Sequence, residues 1–471
     1  MRDAIFASAA KLKCFKSGWA LFAALSIWAL AITWFIQLYL LSYPLAHWSA
    51  GDGLLLGHDA VTFHKQAKLE AIKIAENGWS AWELRPQEWG VSGILSAWYA
   101  IVGPKPWLWA PWQAMLFGLC AVLMQRLVTQ VTGDRLAASI SVLVLMLLPG
   151  AALLYVFPHR DIFVFLGFLL LVYGGMLLAP DSTGSYRRFF MRAIWAWLLI
   201  ALGFLLAWTV RPFSAEIFLG LMVIVTTIIA VISVKQGVRS PKSVGQGLIS
   251  LAACAAAAIF MFSVHSGGSF VHELPADPAG HNETVQAPNS SAAREVNGSP
   301  AEAKSAWQTS SWLPNPVDDR LRGLAGARDR VIRIDGHGRS AVDLDVHFRS
   351  VGDILGYAPR AAQLGFLAPF PTDWVPRSDA PSNRNLERVV MGFEMVLVYL
   401  LLPCLLLALW RYRQTSALWL TLVPSVAWIM VYASTVPVVG SLVRYRYGAL
   451  LLLLCIALAA LIRWGLGRNL R

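Results

Sequence analysis

Apolar stretches of about twenty residues recur along the whole chain, and no other feature restricts its fold so strongly. A run of that length lets a helix cross a bilayer, where every backbone N–H and C=O must find its partner inside the protein. Ten such runs are read, at about 18–43, 109–130, 135–156, 162–179, 193–210, 213–234, 245–264, 390–410, 416–434 and 440–462. The apolar run 91–103 is too short to span and is expected at the membrane surface. The first run follows Lys11, Lys13 and Lys16, as a secretory signal would. Its apolar core is too long for one and no small-residue cleavage site is obvious, so it is read as a retained anchor. With 57% hydrophobic and 14% charged residues, the 471-residue chain is expected to be an all-α polytopic membrane protein.

Charge sets the expected orientation. With the N-terminus inside, the short inner loops and termini carry 17 Lys/Arg against three acids, Asp3, Asp134 and Asp181. Arg126, Arg135, Arg187, Arg188, Arg192, Lys235, Arg239, Lys242, Arg411, Arg413, Arg463, Arg468 and Arg471 all belong to that side. The net charge of +12 is therefore a topology signal, and no nucleic-acid partner is implied. All nine histidines fall on the other side, so chemistry is expected at the outer face. Cys14, Cys120, Cys254, Cys404 and Cys455 lie in spans or inside, and no disulfide framework supports an external domain.

Three modules follow: 1–264, with a large first external loop at 44–108; an external insert at 265–388; and the C-terminal spans of 389–471. In the first loop, Phe63, Ala67, Ala71, Ile74 and Ala75 form the apolar stripe of a surface helix over about 60–77, stopped by Gly78. In the insert, 272–310 is Ser/Ala/Pro/Asn/Gly-rich and reads as a linker, with glycosylation-type sequons at Asn282, Asn289 and Asn297. Residues 311–375 read as a small ordered α+β unit. Val331–Ile334 and Val342–Phe348 alternate like strands joined at Asp335-Gly336-His337-Gly338. A membrane-lying helix over 351–367 follows, with contacts through Val351, Ile354, Leu355, Ala358 and Leu364, ended by Pro369-Phe370-Pro371.

Several ionisable groups gather at the outer ends of these spans. His58-Asp59 opens the loop helix. Asp59 suits a helix N-cap, a purely structural role, and equally a general base that deprotonates an acceptor hydroxyl. Pro158-His159-Arg160-Asp161 lies between the third and fourth spans, as a solvated turn or as part of a site. Arg211-Pro212 ends the fifth span, and Arg444-Tyr445-Arg446-Tyr447 starts the last, with Tyr432 and Glu394 at similar depth. These arginines either snorkel or bind an anion through charge-assisted bonds, a lipid phosphate being the obvious one. Asp343-Leu344-Asp345, near His337 and His347, is a weak divalent-metal candidate. P-loop, dinucleotide, nucleophile-elbow and HExxH motifs are absent from the sequence.

The order of these features resembles the GT-C superfamily of polyprenyl-phosphate-dependent glycosyltransferases, and within it the group of protein O-mannosyltransferases and the lipid A aminoarabinose transferase. Asp59 matches that family's first-loop acid and Asp161 the acid after the third span. Arg211-Pro212 and Arg444-Tyr445-Arg446-Tyr447 match its arginines near the outer face. The resemblance covers mainly 18–220 and 390–462. It implies transfer of a sugar from a polyprenyl-phosphate donor to a glycan, lipid or protein at the periplasmic face of a bacterial inner membrane. Asp59 would be the base, with His58 and Asp161 beside it in the catalytic group. His159, Arg160, Arg211, Arg444, Tyr445 and Arg446 would bind substrate, and a divalent cation is possible in that family. A polysaccharide polymerase or ligase, and a lipid-linked glycan transporter, stay open as alternatives.

Overall fold

A computed structural model describes residues 17–86, 89–180, 185–237, 241–266, 307–335, 340–376 and 382–465. Among these the chain is helical, and β pairing is limited to the single bridges Ser49–Leu55 and Ala341–Val438. In chain order the helices are α1 (Gly18–Trp34, continued by a π-helical turn Phe35–Leu40), α2 (Asp59–Asn77), α3 (Gly90–Val102), α4 (Ala110–Thr132) and α5 (Arg135–Met146). Next come α6 (Asp161–Leu177), α7 (Tyr186–Val210), α8 (Ser214–Gly237), α9 (Pro241–Ser266) and α10 (Asn315–Asp335). The chain continues through α11 (Val351–Leu367), α12 (Ser382–Leu401), α13 (Cys404–Tyr412), α14 (Ser416–Thr435) and α15 (Val439–Gly465). Eight helical segments among the described residues are long and apolar enough to cross a membrane, with α12 and α13 counting as one. This is the architecture of an integral, multi-pass membrane protein.

Two of the ten expected spans are shorter than the sequence suggests. Helix α5 stops at Met146, because Leu148 takes the extended conformation that a residue before proline favours, and Pro149–Leu154 continues as a 3-10 turn. Its 12 residues reach about 18 Å, and the 17 of α6 about 26 Å, against a hydrocarbon core of about 30 Å. Helix α6 has no need to meet lipid at full length. Apart from Tyr173 and Leu177 it is buried on every side, which explains why its sequence is apolar all round.

Close backbone approach locks α6 to α7. A Cβ on Gly167 would run into the carbonyl of Gly203, and one on Gly174 into Ile200 and the carbonyl of Ala196. Small residues at a helix crossing let two backbones meet where the hydrophobic effect supplies little drive. On the opposite flank, Gly118 of α4 faces Phe22 and Ser26 of α1 in the same way.

Helices α2 and α3 lie between spans and pack on each other. The α2 stripe is buried at Phe63, Ala67, Ala71 and Ile74 as expected. Ala75 is exposed, and His64 and Glu70 are buried in its place. Tryptophan indoles tie this layer to backbone carbonyls: Trp82 to Gly93, Trp98 to Leu108, and Trp34 to Trp107.

The insert departs from the expected strand hairpin. Val331–Ile334 form the last full turn of α10, and 342–348 runs without a strand partner beyond the Ala341–Val438 bridge. The reason is Arg328 of α10, wholly buried, which donates to the carbonyls of Asp343 (2.8 Å), Val346 (2.9 Å) and Ser434 (2.9 Å). A guanidinium takes the acceptors that a neighbouring strand would otherwise take. Helix α11 forms as expected, started by a Ser350/Asp353 capping box. It buries Val351, Tyr357, Ala361, Leu364 and Gly365, while Leu355 is 63% exposed and makes no such contact. The stretch 272–306 of the expected linker, with its sequons, and the turn at Gly336-His337-Gly338 lie outside the described residues.

The α6–α7 crossing yields a direct test. Gly167→Ala should lower stability by about 1–3 kcal/mol through overpacking, read as a fall in the detergent unfolding temperature. Gly220→Ala, where an added methyl meets open space, should leave it unchanged. Equal effects at both positions would contradict the packing described.

Candidate functional site

Helix α2 starts one residue earlier than a capping Asp59 would require. His58 has the extended backbone of an N-cap, and its Nδ1 accepts from the Ala60 N–H at 3.2 Å. Of the two readings open for Asp59, the N-cap one is therefore not met. Asp59 is the first helical residue, and its carboxylate is free to point away from the helix axis. The turn before it is held by Arg384 of α12, which donates to the Gly57 carbonyl at 2.7 Å.

Asp59 meets Arg444, at the start of α15 and 385 residues away, at 2.8 Å from Oδ2 to Nη1. His159, in the turn before α6, bridges two carboxylates. Its Nε2 is 3.4 Å from Asp59 Oδ2, and its Nδ1 is 2.9 Å from Asp161 Oδ2. Arg444 Nη1 also lies 3.2 Å from His159 Nε2. With the proton on Nδ1 the ring accepts from Arg444; doubly protonated, it donates to both carboxylates. Asp161, the first residue of α6, forms a second ion pair with Arg211, the C-cap of α7, at 2.6 Å. Two acids, two arginines and one imidazole, contributed by five elements, make one connected network.

Its two halves differ in exposure. The side chains of Asp161 and Arg211 are 6% and 1% exposed, whereas those of Asp59 and Arg444 are 42% and 20% exposed. Asp161 is thus committed to His159 and Arg211. Arg211 stacks on the Tyr445 ring, 4.0 Å from its centroid. The buried hydroxyl of Tyr432 lies beside both the Arg211 guanidinium and the Ser214 hydroxyl. Arg160 lies along the flank, its guanidinium 5.7 Å from the Phe63 ring. Between α6 and α15 a cavity of about 10 Å³ is walled by Asp161, Arg211, Arg444 and Tyr445 on one side, and by Phe165, Phe168 and Trp428 on the other. That is room for about one water molecule.

Local fields follow from this geometry. Burial, reinforced by the neighbouring His159, pushes the His58 imidazole down to about 3, so the cap stays neutral and keeps its acceptor lone pair. Burial acts to raise the Asp59 carboxyl, but His159 and the charge of Arg444 outweigh it and hold the group well below the usual carboxylate range. His58 therefore serves as the neutral cap of α2.

Arg446 does not join the cluster. Two residues apart on a helix means about 200° of rotation, so Arg444 and Arg446 leave α15 on opposite sides. Arg446, wholly buried, donates to the carbonyls of Leu364, Gly365 and Ala368, and so satisfies the C-terminal end of α11. Glu394 likewise sits apart, accepting from the Gly150 N–H and the Tyr447 hydroxyl, both at 2.7 Å. Asp343 gives both oxygens to Arg360 and one also to Tyr357, while Asp345 is exposed; they do not converge as metal ligands. Among the described residues no group of three His, Cys, Asp or Glu side chains is arranged to hold a metal. Arg384 and the cap role of His58 went unread in the sequence. The first begins a span as Arg444 does, and that pattern was the available signal.

No family model matches the sequence, and neither a characterised protein nor a solved structure does so. The site consists of a half-exposed carboxylate and a guanidinium, backed by a buried ion pair, at one end of apolar helices.

Acid sensitivity checks the cap. The unfolded chain protonates His58 near 6.5 and the folded one near 3, so stability is fully present above about 6.5 and is lost as pH falls through that window. At pH 5 the loss should be roughly 1–2 kcal/mol. His58→Asn keeps a capping acceptor but does not titrate, and should flatten the fall of unfolding temperature between pH 7 and 4.5. An unchanged slope in the variant would show that His58 is not the buried neutral cap.

Proposed function

We propose that this chain is a membrane glycosyltransferase that moves a sugar from a polyprenyl-phosphate carrier to a hydroxyl acceptor at the outer face of a bacterial inner membrane. The observation that carries the reading is the contact of Asp59 with Arg444 at 2.8 Å, joined through His159 to Asp161 and Arg211. A base and two phosphate-type anion binders thus stand together at the end of an apolar bundle. The aromatic wall of Phe165, Phe168 and Trp428 beside the arginines suits a lipid-borne phosphate better than a free nucleotide. The distribution of basic residues, 17 against three acids on the opposite side, supports an outward-facing site.

In this mechanism the Asp59 carboxylate takes the acceptor hydroxyl proton as that oxygen attacks sugar C1. The bond from C1 to the phosphate oxygen breaks, its electron pair leaves with the lipid phosphate, and configuration at C1 inverts. Arg444 and Arg211 stabilise the charge that develops on the departing phosphate, in a setting of low dielectric where such donors act strongly. The stacked Tyr445 ring and the Asp161 carboxylate keep Arg211 in place.

The test is transfer from a radiolabelled polyprenyl-phosphate sugar by purified protein in lipid nanodiscs. Asp59→Asn should lower turnover by about 10²–10⁴-fold, the range of a lost general base, with the unfolding temperature close to that of the wild type. Full turnover in a well-folded variant would remove Asp59 from the mechanism and the reading with it.

A further inference from the structure

The half-exposed ion pair at the mouth of the site has a consequence for how substrate enters, resting on the transferase reading above. We infer that Asp59 occupies the anion site of Arg444 in the empty protein, so that a lipid phosphate binds by displacing the Asp59 carboxylate and thereby releases it to act as base.

Space is the first reason. The cavity bounded by Arg211 and Arg444 has about 10 Å³, room for about one water, whereas a phosphate group is several times larger. Asp59 does not line that cavity, so a phosphate must reach Arg444 from outside it, on the side where the Asp59 carboxylate stands. Exposure identifies the group there that can yield: Asp161 and Arg211 are buried and paired at 2.6 Å, and His159 is 2% exposed, while Asp59 is 42% exposed and joined to Arg444 by a single short contact. Of the two ion pairs, the Asp59–Arg444 pair is the one set in a solvent-screened position, where such pairs contribute least.

Donor capacity is the second reason. Arg444 Nη1 directs its hydrogens at Asp59 Oδ2, 2.8 Å away, and toward His159 Nε2, 3.2 Å away. An incoming phosphate meets an arginine nitrogen already in use. It also meets the negative charge of Asp59 itself. Once the phosphate takes over Arg444, the carboxylate loses the partner that quenches its basicity, and at 42% exposure it is open to an acceptor hydroxyl. Donor binding and base activation become one event. The reaction is then ordered, donor before acceptor, and hydroxyl groups including water meet an unquenched base only when a donor is present.

The measurement is binding of sugar-free polyprenyl phosphate to the full-length protein in phosphatidylcholine nanodiscs, compared among variants. Removing the internal anion should strengthen binding: Asp59→Asn is expected to bind about three- to tenfold more tightly than wild type. Arg444→Gln should bind at least tenfold more weakly, and in that background Asp59→Asn should add little. Asp59→Ala, read alongside with the unfolding temperature of each variant, guards against a folding defect in the Asn variant. Equal or weaker binding by both Asp59 variants, with Arg444→Gln still defective, overturns the displacement while leaving the transferase reading intact. Absence of polyprenyl-phosphate binding in the wild type overturns both.

Discussion

The buried pair of Asp161 with Arg211 is the contact on which the rest of the site depends. Either charge alone at 6% or 1% exposure, beside apolar helices, would carry a desolvation penalty of several kcal/mol. Paired at 2.6 Å, with His159 on the second carboxylate oxygen and Tyr445 under the guanidinium, each pins the other. The pair also joins the first residue of α6 to the C-cap of α7, the two helices whose glycines bring their backbones into contact further along. Helix packing and site geometry are thus set by the same two helices. His159 carries that rigidity outward to Asp59 and Arg444, where exposure rises and motion becomes affordable.

Around this anchor the scaffold separates structural cations from available ones. Arg446 and Arg328 are wholly buried and spend their donors on backbone carbonyls, closing the end of α11 and the segment 343–346. Arg384 holds the turn that leads into α2. Arg211 and Arg444 instead face the carboxylates of Asp161 and Asp59, and of these two Arg444 keeps partial access to solvent. A cluster that looks like one basic patch in sequence is therefore two groups with different work: one completes helix ends, the other addresses an anion.

Much of this was legible in the sequence, and the misreadings have physical causes. The apolar runs, α2, α11 and the convergence of Asp59, His159, Asp161, Arg211 and Arg444 follow from hydropathy, spacing and charge position. Helices α5 and α6 are shorter than their apolar runs, because an apolar run measures burial and not contact with lipid; α6 is buried by other helices. The strand pattern at 331–334 failed because α10 buries a single arginine that serves the next segment better than a strand would. Arg446 was misplaced by treating neighbours in sequence as neighbours in space, although a helix turns them apart. Of the two roles open to Asp59, the cap falls to the residue before it, which supplies an unprotonated imidazole nitrogen to the Ala60 N–H.

The central claim is that Asp59 and Arg444, from opposite ends of the chain, act on each other. A double-mutant cycle on chemical unfolding in detergent, using Asp59→Asn, Arg444→Gln and the double variant, measures that interaction without any assumption about substrate. The account gives a coupling of about 0.5–1 kcal/mol, as for a partly exposed ion pair held by a rigid neighbour. Single-variant effects that simply add, within about 0.3 kcal/mol, would contradict it.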